Sequence, residues 1–177
     1  MSLKEATWEH HKRAETRAFV KEMFSGSISN ERYALYLFNQ HQCYDVLEAI
    51  AMAHGIFNDC PELRRAPNIF EDFDELRETK EEPKTLKATT EYINYLKDIS
   101  HDRDKILAHV YVRHMGDLSG GQMIAKRVPG EGRYYKFDRD VEELKTLVRA
   151  KLDDSLADEA KICFDHATKM FEELGEQ

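Results

Sequence analysis

Three glycines set into an otherwise helical pattern constrain this chain more than any other feature. In Gly116-Asp117-Leu118-Ser119-Gly120-Gly121-Gln122, within a helix-period stretch from about Ser100 to Val128, each glycine costs roughly 1 kcal/mol against alanine. A purely structural helix has no use for that cost. Gly116 and Gly120 are four residues apart, as are Asp117 and Gly121, so the missing side chains leave a flat strip along one helix face. The strip admits a flat ligand or a neighbouring helix, eases a kink, and places Asp117 at its edge.

Two other readings of the stretch compete. One is close packing of two helices through small residues. The other is an ATPase signature, because Leu118 to Gln122 spells LSGGQ. No G-x-x-x-x-G-K-[ST] phosphate loop occurs in the chain, and nothing supplies a strand-loop-helix frame for one.

The chain has 177 residues, enough for one domain with a buried core, and neither repeats nor long linkers divide it, so residues 1–177 are expected to form a single domain. Its 26 basic and 34 acidic residues give a net charge of −8, which argues against general nucleic-acid binding. Cys43, Cys60 and Cys163 lack metal-site spacing, so no disulfide is expected and a reducing, cytoplasmic compartment is. No apolar run approaches the ~20 residues that span a bilayer, so the expectation is a soluble protein without membrane partners.

Ser2-Leu3-Lys4-Glu5 is a capping-box pattern that starts a helix running to about Phe24. Lys4, Thr7, His11, Ala14 and Glu15 share one side of it. Glu15, a turn beyond His11, is placed to accept from the imidazole Nδ1, the device that fixes tautomer and basicity in ligand histidines. His10 points about 100° away and cannot share that site. A second helix runs from Ser29 or Asn30 to His54-Gly55 with Tyr33, Leu37, Tyr44 and Leu47 at helical spacing. Cys60-Pro61 reads as a proline at a helix start. Further helices are expected at Pro67 to Glu78, Lys84 to Ile99, with Ser100 capping the next, then Arg139 to Leu152 capped by Asp138, and Ala157 to Leu174, which packs Ile162 and Phe164. Tyr134 to Phe137 reads as a short extended piece. No stretch alternates as a strand, so the fold class is all-α.

The segment His109-Val110-Tyr111-Val112-Arg113-His114-Met115 followed by GDLSGGQ resembles the distal-helix signature of the haem oxygenases. Leu3-Lys4-Glu5-Ala6-Thr7 with His11 and Ala14-Glu15 resembles the proximal helix of the same family, and Phe171-Glu172-Glu173-Leu174 fits its last helix. The resemblance covers nearly the whole chain. It implies an all-α fold with haem sandwiched between a proximal helix and a kinked, glycine-rich distal helix.

The same resemblance makes His11 the axial iron ligand, supported by Thr7 and Glu15. Gly116, Gly120 and Gly121, with Ser119, become the backbone that closes over the other haem face. Asp117 resembles the distal carboxylate that organises water for proton delivery, and Tyr44 and Arg113 resemble parts of its hydrogen-bond network. Lys4, Tyr111, Lys145 and Arg149 resemble the groups that meet the haem propionates. A neutral histidine does not push electron density as a thiolate would, which suits attack on the ring rather than O–O cleavage. Haem b would then be both substrate and cofactor, cleaved with O2 to biliverdin IXα, CO and iron.

The chain ends at Gln177 without the anchor of microsomal forms, so the resemblance is to soluble bacterial, algal and viral members. That implies reduced ferredoxin as electron donor and a bilin reductase as a consumer of the product. Two departures stand out: His114, where many relatives have an aromatic residue, and Asp165-His166, where apolar residues are common. The alternative is a haem-binding or sensing protein without turnover, against which Asp117 speaks. A carboxylate di-iron bundle needs two Glu-x-x-His motifs, and the chain offers only Asp98-x-x-His101.

Overall fold

A computed structural model describes residues 1–177, which form ten α-helices, three short 3-10 turns and no strand. The predicted first helix is three pieces: α1 (Leu3–Ala6), α2 (Trp8–Glu15) and α3 (Ala18–Phe24). The capping box forms, with Ser2 Oγ accepting from Glu5 N at 3.2 Å and Glu5 Oε2 from Ser2 N at 3.4 Å. The first break follows from Thr7, whose hydroxyl donates to the Leu3 carbonyl at 2.9 Å while its own ψ opens to 0°. The second falls at Arg17, which is extended.

Then come α4 (Asn30–Ala53), α5 (Ala66–Leu76), α6 (Lys87–Asp98), α7 (Arg103–Leu118), α8 (Gly121–Ile124), α9 (Val141–Arg149) and α10 (Ala157–Gly175). Several predicted boundaries need correction. Asp102, not Ser100, caps α7 by accepting from Lys105 N at 3.2 Å, because Ser100 is spent in the preceding turn. Asp140, not Asp138, caps α9 by accepting from Glu143 N at 2.9 Å. Residues Arg133–Tyr135 form a 3-10 turn rather than an extended piece, since Asp72 of α5 accepts from Arg133 N and Tyr134 N at 3.0 and 2.8 Å and winds the chain there. Ile162 is exposed rather than packed.

The long α4 is the central element. Its buried Asn39 accepts from Leu86 N at 2.9 Å and the Thr89 hydroxyl at 2.7 Å, so α4 itself ties down the start of α6. Glu173 of α10 completes that cap, accepting from Lys87 N and Ala88 N at 2.9 and 2.8 Å. Both α2 and α7 pack on α10, while few if any contacts join them directly. The last helix is thus the common floor of two walls. Cys43, Cys60 and Cys163 are all free and buried.

Candidate active site

His11 sits on the first wall, its side chain 42% exposed. The Trp8 ring meets it edge-on at 5.5 Å and Phe164 of α10 faces it at 5.4 Å, so packing from two sides limits its rotation. Glu15 lies beside it as predicted, but the nitrogen it meets is Nε2, at 3.2 Å, rather than Nδ1. With Glu15 a full turn away, it is the outer nitrogen that reaches it. Asp165 pairs instead with His10 at 2.9 Å, and His166 stacks on Tyr92 and Tyr95 at 5.1 Å from each. Those two polar residues of α10 therefore have partners of their own.

The second wall is α7, which ends where Ser119 leaves helical geometry (φ −105°, ψ −91°) and restarts as α8. The predicted kink is a complete break. Gly116 and Gly120 are exposed, and a Cβ added to Gly116 would meet nothing within 4 Å. Gly121 serves the interior instead. A Cβ there would lie 2.5 Å from the Tyr135 ring, so its missing side chain makes room for the 3-10 turn. Ser119 is exposed at the break.

Asp117 does not lie at the edge of the strip. It turns inward, 6% exposed, and its Oδ2 accepts from the Tyr44 hydroxyl at 2.8 Å. Burial pushes its pKa up to about 7, against the pull of His114, the Tyr44 hydroxyl, Arg65 and Tyr134. A group expected as a carboxylate is thus poised to exchange a proton near neutral pH. Arg113 is buried behind it, stacked over Tyr92 at 4.3 Å with Nη1 donating to Gln40 at 3.3 Å, and its Nη2 has no protein partner.

Three of the rim residues come together from the α1–α2 junction, α7 and α9. Burial raises the Tyr111 pKa, and both a hydrogen bond with Thr7 and the Arg149 charge oppose that rise, which places these three side chains together. Lys145 leans on exposed Glu142 at 3.3 Å. Lys4 and Arg149 are exposed. A hollow of about 420 Å3 elsewhere, between the start of α7 and the start of α10, contains none of these groups.

Several residues here had not been predicted from sequence. Glu48, Arg65, Asp72, Tyr134 and Gln40 are buried polar groups that link α4, α5 and the 3-10 turn beneath Asp117. The one available signal was a charge, Glu48, inside the aromatic stripe of α4. The donor set fits haem: a half-exposed imidazole, open space outside a glycine on the facing helix, and cations at the rim.

The chain matches the heme oxygenase family over residues 1–173, and it belongs to that family. It is 32% identical over 202 residues to a heme oxygenase of Guillardia theta, across 98% of this chain and 85% of that protein. It is 30% identical to heme oxygenase 2 of Macaca fascicularis, covering 97% of this chain but spanning only 64% of that relative's length. Among solved structures, heme oxygenase from Leptospira interrogans superposes with a TM-score of 0.83 at 29% identity, covering 98% of this chain and all (100%) of that one. Heme oxygenase-1 from the cyanobacterium Synechocystis, solved in complex with heme, gives 0.84 at 26% identity, covering 98% and 90%. No helix is long and apolar enough to cross a membrane.

Proposed function

We propose that this chain is a haem oxygenase that opens haem b at one meso carbon, yielding biliverdin IXα, CO and Fe2+. The observation that carries the reading is the open space outside Gly116, on a helix whose inner side holds a carboxyl titrating near pH 7. Ferredoxin-type donors supply the electrons, the protein works in solution in the cytoplasm, and a bilin reductase consumes the product. When bound, haem supplies both the iron that binds and reduces O2 and the ring that is opened.

The chain's own residues bind, orient and move protons. His11 offers a ring nitrogen to the iron, and Glu15 beside it holds the tautomer. Gly116 in α7 and Gly120 just before α8 would let the backbone come close to the flat group, leaving no side chain to crowd a small ligand. Lys4, Tyr111, Lys145 and Arg149 hold the propionates through charge-assisted and neutral hydrogen bonds. Asp117, whose pKa burial raises to about 7, passes a proton through water into the distal space and is refilled, while Tyr44 fixes its Oδ2. Arg113 Nη2, buried and unpaired in protein, is the remaining donor that can order such water.

The test adds haemin to the purified protein, supplies ferredoxin and its reductase, and follows the absorption spectrum. A bilin band should grow as the Soret band decays. Haem that binds and survives repeated reduction in air would instead mark a carrier or sensor.

A further inference from the structure

Glu48 and His114 meet with both side chains fully buried, Nε2 to Oε2 at 2.8 Å, between the middle of α4 and the last turns of α7. Burial alone would raise the Glu48 pKa, but His114 and the Arg65 and Ala66 N–H groups, which donate at 2.6 and 3.0 Å, bring it below the ordinary value. Glu48 is therefore an anion in the core. The other ring nitrogen of His114, Nδ1, lies 3.2 Å from the Val110 carbonyl. The nitrogen facing the carboxylate must carry hydrogen for that contact to be a bond, and this fixes the orientation of the ring.

That ring sits against the distal machinery. The His114 ring packs on Tyr44 at 5.2 Å and on Phe57 at 5.4 Å, and Tyr44 is the residue whose hydroxyl grips Asp117. The charged and titratable groups facing Asp117 are His114 on its own helix, Tyr33, Tyr36 and Tyr44 from α4, Arg65 at the start of α5, and Tyr134 and Tyr135 from the 3-10 turn. We propose that His114, clamped by Glu48, is a positioning residue that fixes the Tyr44 ring and, through it, the hydroxyl that grips the distal carboxyl. Without it, Tyr44 would hold Asp117 less firmly, and burial would leave the carboxyl a weaker acid. The role in turnover rests on the proposed haem oxygenase reading; the placement of the ring does not.

The experiment uses the haem-free full chain labelled with 13C at aspartate carboxyls and 15N in histidine rings. The Asp117 signal is assigned by its loss in Asp117→Asn. His114→Tyr keeps an aromatic ring but replaces the imidazole that Glu48 clamps, and should make Asp117 a roughly tenfold weaker acid, a shift of about one pH unit. If that variant fails to fold, Glu48→Gln loosens the clamp with His114 in place and should shift the Asp117 signal. In wild type, the His114 nitrogen facing Glu48 should carry hydrogen. A bare His114 nitrogen facing Glu48, or an Asp117 signal that stays put in the folded variant, would overturn the proposal. In the haem-loaded protein the pH profile of kcat should move with Asp117 while KM for the reductant holds. A shifted Asp117 in a protein whose wild type makes no bilin would keep the clamp and sink the enzymatic reading.

Discussion

Tyr44 and Asp117 meet through a 2.8 Å hydrogen bond across 73 residues of sequence, joining the central α4 to the inner side of the glycine-bearing α7. The carboxyl is out of water and its one short protein contact is a neutral hydroxyl, which is why burial outweighs everything else acting on it.

That balance predicts a pH-dependent stability. Asp117 holds its proton to about pH 7 when folded, but only to the ordinary 3.8 when unfolded. Its contribution is complete below the unfolded value and is lost as pH rises through the folded one, a difference of roughly a few kcal/mol at most. Asp117→Asn, which cannot ionise and still accepts from Tyr44, should melt above wild type near pH 8 and lose that advantage toward pH 4. Thermal unfolding of the haem-free protein across this range checks it; parallel curves would show that the carboxyl does not titrate in that window.

His11→Ala should leave the fold within about 0.5 kcal/mol of wild type, because the side chain is half exposed and fills no core space. Haem should still bind with an altered Soret band, and turnover should nearly vanish. Added imidazole should restore part of both. Unchanged spectra and turnover would remove His11 from the ligand role.

The two neighbouring glycine types should separate cleanly. Gly121→Ala drives a methyl into the Tyr135 ring and should destabilise the fold by about 1–3 kcal/mol, read by urea unfolding. Gly116→Ala meets open space and should leave the empty protein as stable or up to ~1 kcal/mol more so, while weakening haem uptake in a Soret titration. Equal haem affinity in Gly116→Ala would mean that the strip faces something other than haem.

Replacing Lys145 and Arg149 together with alanine should leave haem held by His11 but free to settle in other in-plane orientations, since a bias of ~1.4 kcal/mol already gives tenfold selection. Wild type should give mainly the α isomer of biliverdin and the double variant a mixture. Chromatography of the bilins decides; a double variant that remains wholly α would place the selection elsewhere.

Helix identity was legible because each helix buries one face. The predicted spans of α4 and α10 fall within about a residue or two of those observed. Caps were less legible: Ser100 and Asp102, or Asp138 and Asp140, are equally good capping chemistry, and only the preceding turn decides which is free. The breaks at Thr7 and Arg17 were invisible because both residues tolerate helix. At the site, Gly116 and Asp117 stood out by type and spacing and His11 only through the family resemblance, whereas Glu48 and His114, 66 residues apart, have meaning only once α4 and α7 are packed together.

One turn of the final helix carries a consequence for both walls. Phe164 touches His11, Asp165 holds His10, Cys163 lies 3.6 Å from the Tyr92 hydroxyl that Arg113 also meets, and His166 stacks on Tyr92 and Tyr95. Four consecutive residues thus grip the ligand-bearing wall on one side and the support of the opposite wall on the other. A change in this one turn therefore bears on both walls at once.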